Sequence, residues 1–206
     1  MIAAESVSIA RQGRVIVSDF SVEITHGQIV ALVGPNGSGK STVLQTLSGD
    51  LPVIAGGIFY DGKAIDSLSI PDLAEQRAVA QQHQRFSLSY SVNDILRMAI
   101  EKFGTQESIA EAVVALDIES LLTRKITSLS GGEQQRISIA MALAQATPYL
   151  LLDEPFAAQD TESAKRISAH LKSLAKRGIG IMIVAHMLES ELSWCDTIKR
   201  MSLILA

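Results

Sequence analysis

Gln28-Ile29-Val30-Ala31-Leu32-Val33-Gly34-Pro35-Asn36-Gly37-Ser38-Gly39-Lys40-Ser41 is the stretch that decides how this chain folds. Its first half is an apolar run too short for a helix and suited to a strand buried on both faces. Its second half fits G-x-x-x-x-G-K-[S/T], and a helical stretch, Ser41–Leu47, follows it. That strand–loop–helix context is the one the motif requires. Gly34, Gly37 and Gly39 let the backbone curl so that successive N–H groups point inward at phosphate oxygens. Pro35, Asn36 and Ser38 complete the loop, and the helix opening at Ser41 and Thr42 offers its positive N-terminus to the same anion. Lys40 is expected to neutralise the β- and γ-phosphates of a bound nucleotide, and the Ser41 hydroxyl to ligate Mg²⁺.

Two further apolar runs, Tyr149–Leu152 and Ile181–Ala185, have the same length and character and predict parallel strands. Thr161–Lys176 places Ala164, Ile167, Leu171 and Leu174 at three-and-four spacing, the pattern of a helix with one buried face. Ser6–Ile9 and Val15–Ile24 alternate near period two, which suits an antiparallel sheet with one wet face. Between them and the later strands the pattern changes. Pro71–Gln76 predicts a short helix, Asn93–Lys102 and Glu107–Leu116 predict longer ones, and no strong strand signal falls in 91–128. The expected fold is α/β: a phosphate-loop core with a mixed or parallel sheet flanked by helices, an N-terminal antiparallel β part, and a helical insert over roughly 86–128. Ser202–Leu205 is expected to be strand-like.

Composition narrows the class. The chain has 206 residues, the size of one domain. Its 18 basic and 22 acidic residues leave a net charge of −4, without the basic excess that marks a nucleic-acid binder. A single cysteine, Cys195, excludes an internal disulfide or a cysteine zinc cluster and points to a reducing compartment. No apolar run approaches the length of a membrane span, and the N-terminus lacks the pattern of a signal peptide. A cytoplasmic chain that serves a membrane through a partner fits these features.

The hydrolytic groups come from strand ends. Tyr149–Leu152 runs into Asp153 and Glu154, and ligands of parallel sheets gather at the carboxyl edge. Adjacent side chains point oppositely, so Asp153 is assigned to Mg²⁺ and Glu154 to the attacking water. Ile181–Ala185 delivers His186 to the same edge, within reach of the γ-phosphate or the water. His26, His83 and His170 lack such a context, and Trp194 and Cys195 are expected to pack.

Leu129-Ser130-Gly131-Gly132-Glu133-Gln134-Gln135-Arg136 resembles the signature sequence of ABC-type ATPases. Together with the phosphate loop, the Asp153–Glu154 strand and His186, the order resembles that family's nucleotide-binding subunit over nearly the whole chain. The resemblance implies that Ser130, Gly131, Gly132 and Glu133 dock on the γ-phosphate held by a second copy, in a head-to-tail dimer around two ATP molecules. It implies that Gln82, with Gln81 as the neighbouring register, links Mg²⁺ and water to the insert, and that Asp160 lies in a dimer-contact loop. The residue before it, Gln159, is usually leucine in the family. The family also stacks adenine on an aromatic residue ahead of the phosphate loop, and the matching stretch, Ala10-Arg11-Gln12-Gly13-Arg14, has none. Either Arg11 stacks through its guanidinium face, or the base is weakly held.

Two roles follow from the family. One is the energy-coupling ATPase of a transporter, peripheral to the cytoplasmic face of the membrane. In it, the insert receives separate transmembrane permease subunits, and an extracytoplasmic substrate-binding protein acts indirectly. The other is a soluble ABC ATPase in repair or cofactor assembly. The short spacing from Lys40 to Asp153 leaves no room for the long coiled coils of the DNA-acting branch. Leu47–Leu51, Gly57–Lys63 and Ala74–Gln82 look similar to importers of haem, iron–siderophore and cobalamin. A metal-ion importer or an exporter is the alternative. The chain ends soon after 202–205, where an appended regulatory domain is not expected. Apolar residues of the insert either form a permease-docking patch or are core.

Overall fold

A computed structural model describes residues 1–82, 86–87, 89–100, 104–157 and 159–203. His83 and the end of the predicted helix Asn93–Lys102 fall in part outside them.

The chain opens with β1 (Ile2–Arg11) and β2 (Arg14–Ile24), paired antiparallel. Gln12 and Gly13 join them with positive φ angles of 52° and 78°, the left-handed two-residue turn whose twist suits a hairpin. Next come β3 (Ile29–Val33), α1 (Lys40–Leu47), β4 (Ala55–Tyr60) and β5 (Lys63–Ala64). The first sheet has the order β2-β1-β4-β5 and is antiparallel throughout. After it follow α2 (Ile70–Gln76), β6 (Arg77–Ala80), α3 (Val92–Ala99), α4 (Gln106–Leu116) and α5 (Gly131–Ala144). The chain then forms β7 (Tyr149–Asp153), α6 (Thr161–Lys176), β8 (Gly180–Ala185) and β9 (Thr197–Arg200). The second sheet, β6-β7-β8-β3-β9, is parallel at every junction.

The buried strands have two different faces. Ile29, Ala31, Val33, Leu150, Leu152, Ile181 and Ile183 join the apolar cluster of α3–α6. The alternate residues Val30, Leu32, Leu151, Met182 and Val184 pack on α1 and the antiparallel sheet. Period-two alternation thus survives inside strands that are apolar on both sides, and it makes the parallel sheet the middle layer.

The helices start where short polar side chains can take an orphan N–H. Ser69, Ser91, Thr105, Ser130 and Asp160 each accept a hydrogen bond from the backbone N–H three residues on. The helical segment after β6 shares its core with α5 and α6. Two arginine pairs reinforce that join: Arg177 is bidentate on Glu111 at 2.8 and 2.6 Å, and Arg166 reaches Asp117 at 3.4 Å.

One strand differs from expectation. Ser202 and Leu203 are not in a strand, and Ile204 and Leu205 lie outside the described residues; the last strand among the described residues is β9, Thr197–Arg200, an edge strand with no buried residue. The apolar run that suggested 202–205 follows the strand, and the pairing lies in a segment whose polar residues hide it. Trp194 packs edge-on to Phe156 at 6.0 Å, with Lys172 over its ring. Cys195 is half-buried, and burial pushes its thiol up to about 12. Both are packing residues.

Candidate nucleotide site

Parallel pairing brings the carboxyl ends of β3, β6, β7 and β8 to one edge, and the cleft there has a volume of about 770 Å³. Asn36, Gly37, Gly39, Lys40, Ser41 and Thr42 form its floor. Gln82, Glu154 and His186 form one wall, and Arg11 and Ile16 the other.

The floor depends on glycines for steric reasons. Gly39 caps α1 in the left-handed region at φ 91°, and a Cβ there would lie 2.7 Å from Cγ2 of Val17. At Gly34 a Cβ would lie 2.4 Å from the Met201 carbonyl oxygen. No side chain caps α1, so its first N–H groups face the cleft without a partner from a cap. Lys40 is buried, and its ammonium donates to the carbonyls of Gly34 at 2.9 Å and Pro35 at 3.0 Å. Burial pulls its pKa below the ordinary lysine range, against the pull of Glu154 and Asp153. The Ser38 hydroxyl is buried in the same loop with no hydrogen-bond partner among the described residues.

The two acids at the end of β7 have separate surroundings. Asp153 is buried, and the Ser41 hydroxyl donates to its Oδ1 at 3.2 Å. Burial pushes the Asp153 carboxyl above the usual range, and the Ser41 bond only partly offsets it. Glu154 leaves the strand at φ 52°, a left-handed conformation that costs a glutamate about 1 kcal/mol or more. That turn carries its carboxylate to Gln82, whose Nε2 donates to Oε2 at 2.5 Å, and to His186, whose Nε2 lies 2.7 Å from Oε1. Gln82 is therefore the glutamine that meets the acid. Gln81 points elsewhere, to Asp50.

The buried cation is biased toward losing its proton and the buried carboxylate toward gaining one. A polyphosphate with a divalent cation relieves both. A hydroxyl and a carboxylate 3.2 Å apart are hard oxygen donors, the set that fits Mg²⁺.

The remaining expected residues do not line this cleft. Ser130, Gly131, Gly132 and Glu133 open α5, where Glu133 accepts hydrogen bonds from the Ser130 N–H at 2.7 Å and the Ser130 hydroxyl at 2.8 Å. Gln134 holds the approach to that helix by donating to the carbonyls of Ile126 and Leu129. A Cβ at Gly131 or Gly132 would meet nothing within 4 Å, so nothing in the described packing requires glycine there. Asp160 caps α6, accepting from the Ser163 N–H at 2.8 Å. Of the other histidines, His26 stacks on Tyr149 with ring centres 4.8 Å apart, and His170 is a residue of α6. Sequence reasoning missed Ile16. Its place in an alternating strand was legible, but its approach to Gly39 depends on how two sheets pack.

A family model described as ABC transporter matches residues 17–157. The chain belongs to the ABC transporter ATP-binding family. It is an ATP-binding, ATP-hydrolysing cassette. The hemin import ATP-binding protein HmuV of Hydrogenovibrio crunogenus is 37% identical over 210 residues, covering 95% of this chain and 81% of that protein. HmuV of Rhodococcus jostii is 33% identical over 202 residues, covering 95% and 69%. Among solved structures, a dimeric bacterial ABC transporter cassette superposes with a TM-score of 0.83 at 25% identity, covering 98% of this chain and 94% of that one. CbiO1 of Clostridium perfringens, part of an ABC transporter complex, does so with a TM-score of 0.79 at 28% identity, covering 99% and 86%.

Proposed function

We propose that this ABC ATPase powers an importer for haem or a related iron–siderophore or cobalamin cargo, working as a head-to-tail pair beneath transmembrane permease subunits. An extracytoplasmic binding protein delivers the cargo, and the ATPase sits on the cytoplasmic face of the membrane. The relatives named as hemin import ATPases, matched over 95% of the chain, support the cargo class. No helix among the described residues is long and apolar enough to cross a membrane, so the passage is assigned to a partner.

The observation that carries the chemistry is the Glu154 carboxylate held between Gln82 and His186 at the edge of the phosphate cradle. Lys40 and the open N-terminus of α1 bind the phosphates. Glu154 takes a proton from the attacking water as its oxygen bonds to the γ-phosphorus. The bond from that phosphorus to the ADP oxygen breaks in line. His186 fixes the carboxylate and faces the γ-phosphate side, and Gln82 orients Glu154 toward the water. Ser41, Asp153 and Gln82 are the residues that would hold Mg²⁺. When bound, the ion neutralises charge on the β- and γ-phosphates. Arg11 and Ile16 form the wall assigned to the base.

The head-to-tail pair accounts for the two open glycines of α5. Ser130, Gly131, Gly132 and Glu133 lie away from their own chain's cleft, and the capped helix start they form, with open space over both glycines, suits a phosphate brought by a second copy. Asp160 sits in the loop assigned to that contact. In the segment assigned to the permease, Tyr90 and Met98 are exposed and form the docking patch.

The test is an affinity capture of the tagged chain from detergent-solubilised native membranes, with co-purifying chains identified by mass spectrometry. Recovery of a polytopic membrane protein is expected, and its identity narrows the cargo. Recovery of soluble partners alone, under conditions that preserve known membrane complexes, would overturn the transporter role and favour a soluble ABC ATPase.

A further inference from the structure

We infer that Asp50 is a positioning residue for hydrolysis, tying the edge strand β6 to the phosphate helix α1 so that Gln82 meets Glu154. The inference rests on the roles proposed above for Gln82 and Glu154.

Strand β6 has four residues, Arg77–Ala80, and lies at the edge of the parallel sheet with β7 as its neighbour. Gln82 stands two residues beyond its end. So short a ladder holds the strand on one side and leaves the direction of its exit loosely fixed. The residues that follow α1 hold it on the other side, at both ends. At the start of β6, Nε of Arg77 donates to the Ser48 carbonyl at 2.8 Å, and a second guanidinium nitrogen donates to the same oxygen. Ser48 is fully buried, and its hydroxyl donates to Oδ2 of Asp50 at 2.9 Å. The same Oδ2 accepts from Nε2 of Gln81, past the end of β6, at 3.2 Å. Asp50 is itself anchored to α1, its N–H donating to the Gln45 carbonyl at 2.9 Å.

The consequence is a bracket. Helix α1 carries Lys40 and Ser41 at its N-terminus, and the turn at its C-terminus grips Arg77 and Gln81 on either end of β6. Eight residues of helix, about 12 Å long, thus hold the phosphate-binding groups and the hydrolytic glutamine in one frame. Gln81 contributes by being anchored, which turns its neighbour Gln82 toward the acid. Asp50 is not among the residues that line the cleft, and its hydrogen bonds go to Gln45, Ser48 and Gln81, so its contribution to catalysis passes through Gln82.

Steady-state hydrolysis by the purified full chain is compared for wild type, Asp50→Ala, Asp50→Asn, Gln82→Ala and the Asp50→Ala/Gln82→Ala double variant, with nucleotide affinity from a fluorescent-analogue titration. A hydrogen bond to a charged acceptor sets the expected size: Asp50→Ala lowers kcat about fivefold, with nucleotide affinity within about twofold of wild type. Asp50→Asn keeps an acceptor oxygen and restores most of the rate. In the Gln82→Ala background, Asp50→Ala changes nothing further, because the two act as one unit. An equal loss from Asp50→Ala in both backgrounds, or a parallel loss of nucleotide affinity, would overturn the inference in favour of a general structural role. If Gln82→Ala lowers kcat and Asp50→Ala does not, the inference alone fails. If Gln82→Ala leaves kcat unchanged, the proposed role of Gln82 fails, and the inference with it.

Discussion

Helices α1 and α5 both begin at a glycine-rich turn, and they begin differently. The N-terminus of α1 has no side-chain cap, lies on a buried lysine and faces a cleft of its own chain. The N-terminus of α5 is closed by a capping box, Ser130 with Glu133, and its two glycines face open space. A helix end without a cap leaves orphan N–H donors that need an anion. A capped end is stable by itself and receives an anion as an addition. The first is built around its ligand. The second can wait for one, which is what the proposed docking on a second copy's nucleotide requires.

The largest test of that contrast is Lys40→Ala. It is expected to weaken nucleotide binding by the dilute chain and to cut hydrolysis about a thousandfold, the scale of losing a central electrostatic group. Next is Gly132→Asp. The site has room for the side chain, and an acid near a helix start is favourable to the fold. Hydrolysis is expected to fall about a hundredfold from repulsion of the second copy's phosphate, while affinity measured on the dilute chain is unchanged. A matching loss of affinity would show that α5 serves its own cleft and would erase the contrast.

Asp153→Asn sharpens it from the other side. Burial raises the Asp153 pKa, so the ionised carboxylate disfavours the fold above that raised pKa, and the cost vanishes as pH falls below the ordinary carboxylate range. At pH 7 the variant should melt roughly 2–4 °C higher than wild type, lose Mg²⁺-dependent affinity, and lose its thermal advantage in acid. Differential scanning with and without Mg·ATP reads both effects. The smallest expected change is Ser130→Ala, which removes a cap and lowers stability by about 1 kcal/mol, with nucleotide affinity of the dilute chain untouched.

The legibility of the molecule follows the same physics. Strands buried on both faces, such as β3, β7 and β8, need continuous apolar runs and announced themselves. So did α6, where one face is wet and the periodicity is clean. The edge strand β9, Thr-Ile-Lys-Arg, has no need of such a run and was missed. Strand β4 begins Ala-Gly-Gly, where one glycine closes a bulge against the Glu5 carbonyl, and it carries little strand signal. Within the cleft, residues whose identity is dictated by chemistry were readable: Lys40, Asp153, Glu154 and His186. Residues whose role depends on how two sheets or a helix and a strand meet were not. Ile16 and Asp50 are of that kind, whereas Gln82 was singled out over Gln81 by the family resemblance, and it is Gln82 that meets Glu154.

The φ of 52° at Glu154 has a consequence for how such a site decays. Asparagine, aspartate and glycine adopt that backbone more readily than glutamate does. Replacing Glu154 by asparagine or glycine removes the base and relaxes the main chain together. Most inactivating changes in a protein burden its folding; this one lightens it. Were two such cassettes to share a pair and only one to keep turning over ATP, the idle copy would meet no folding barrier to drift at this position, and it would become sturdier as it fell silent.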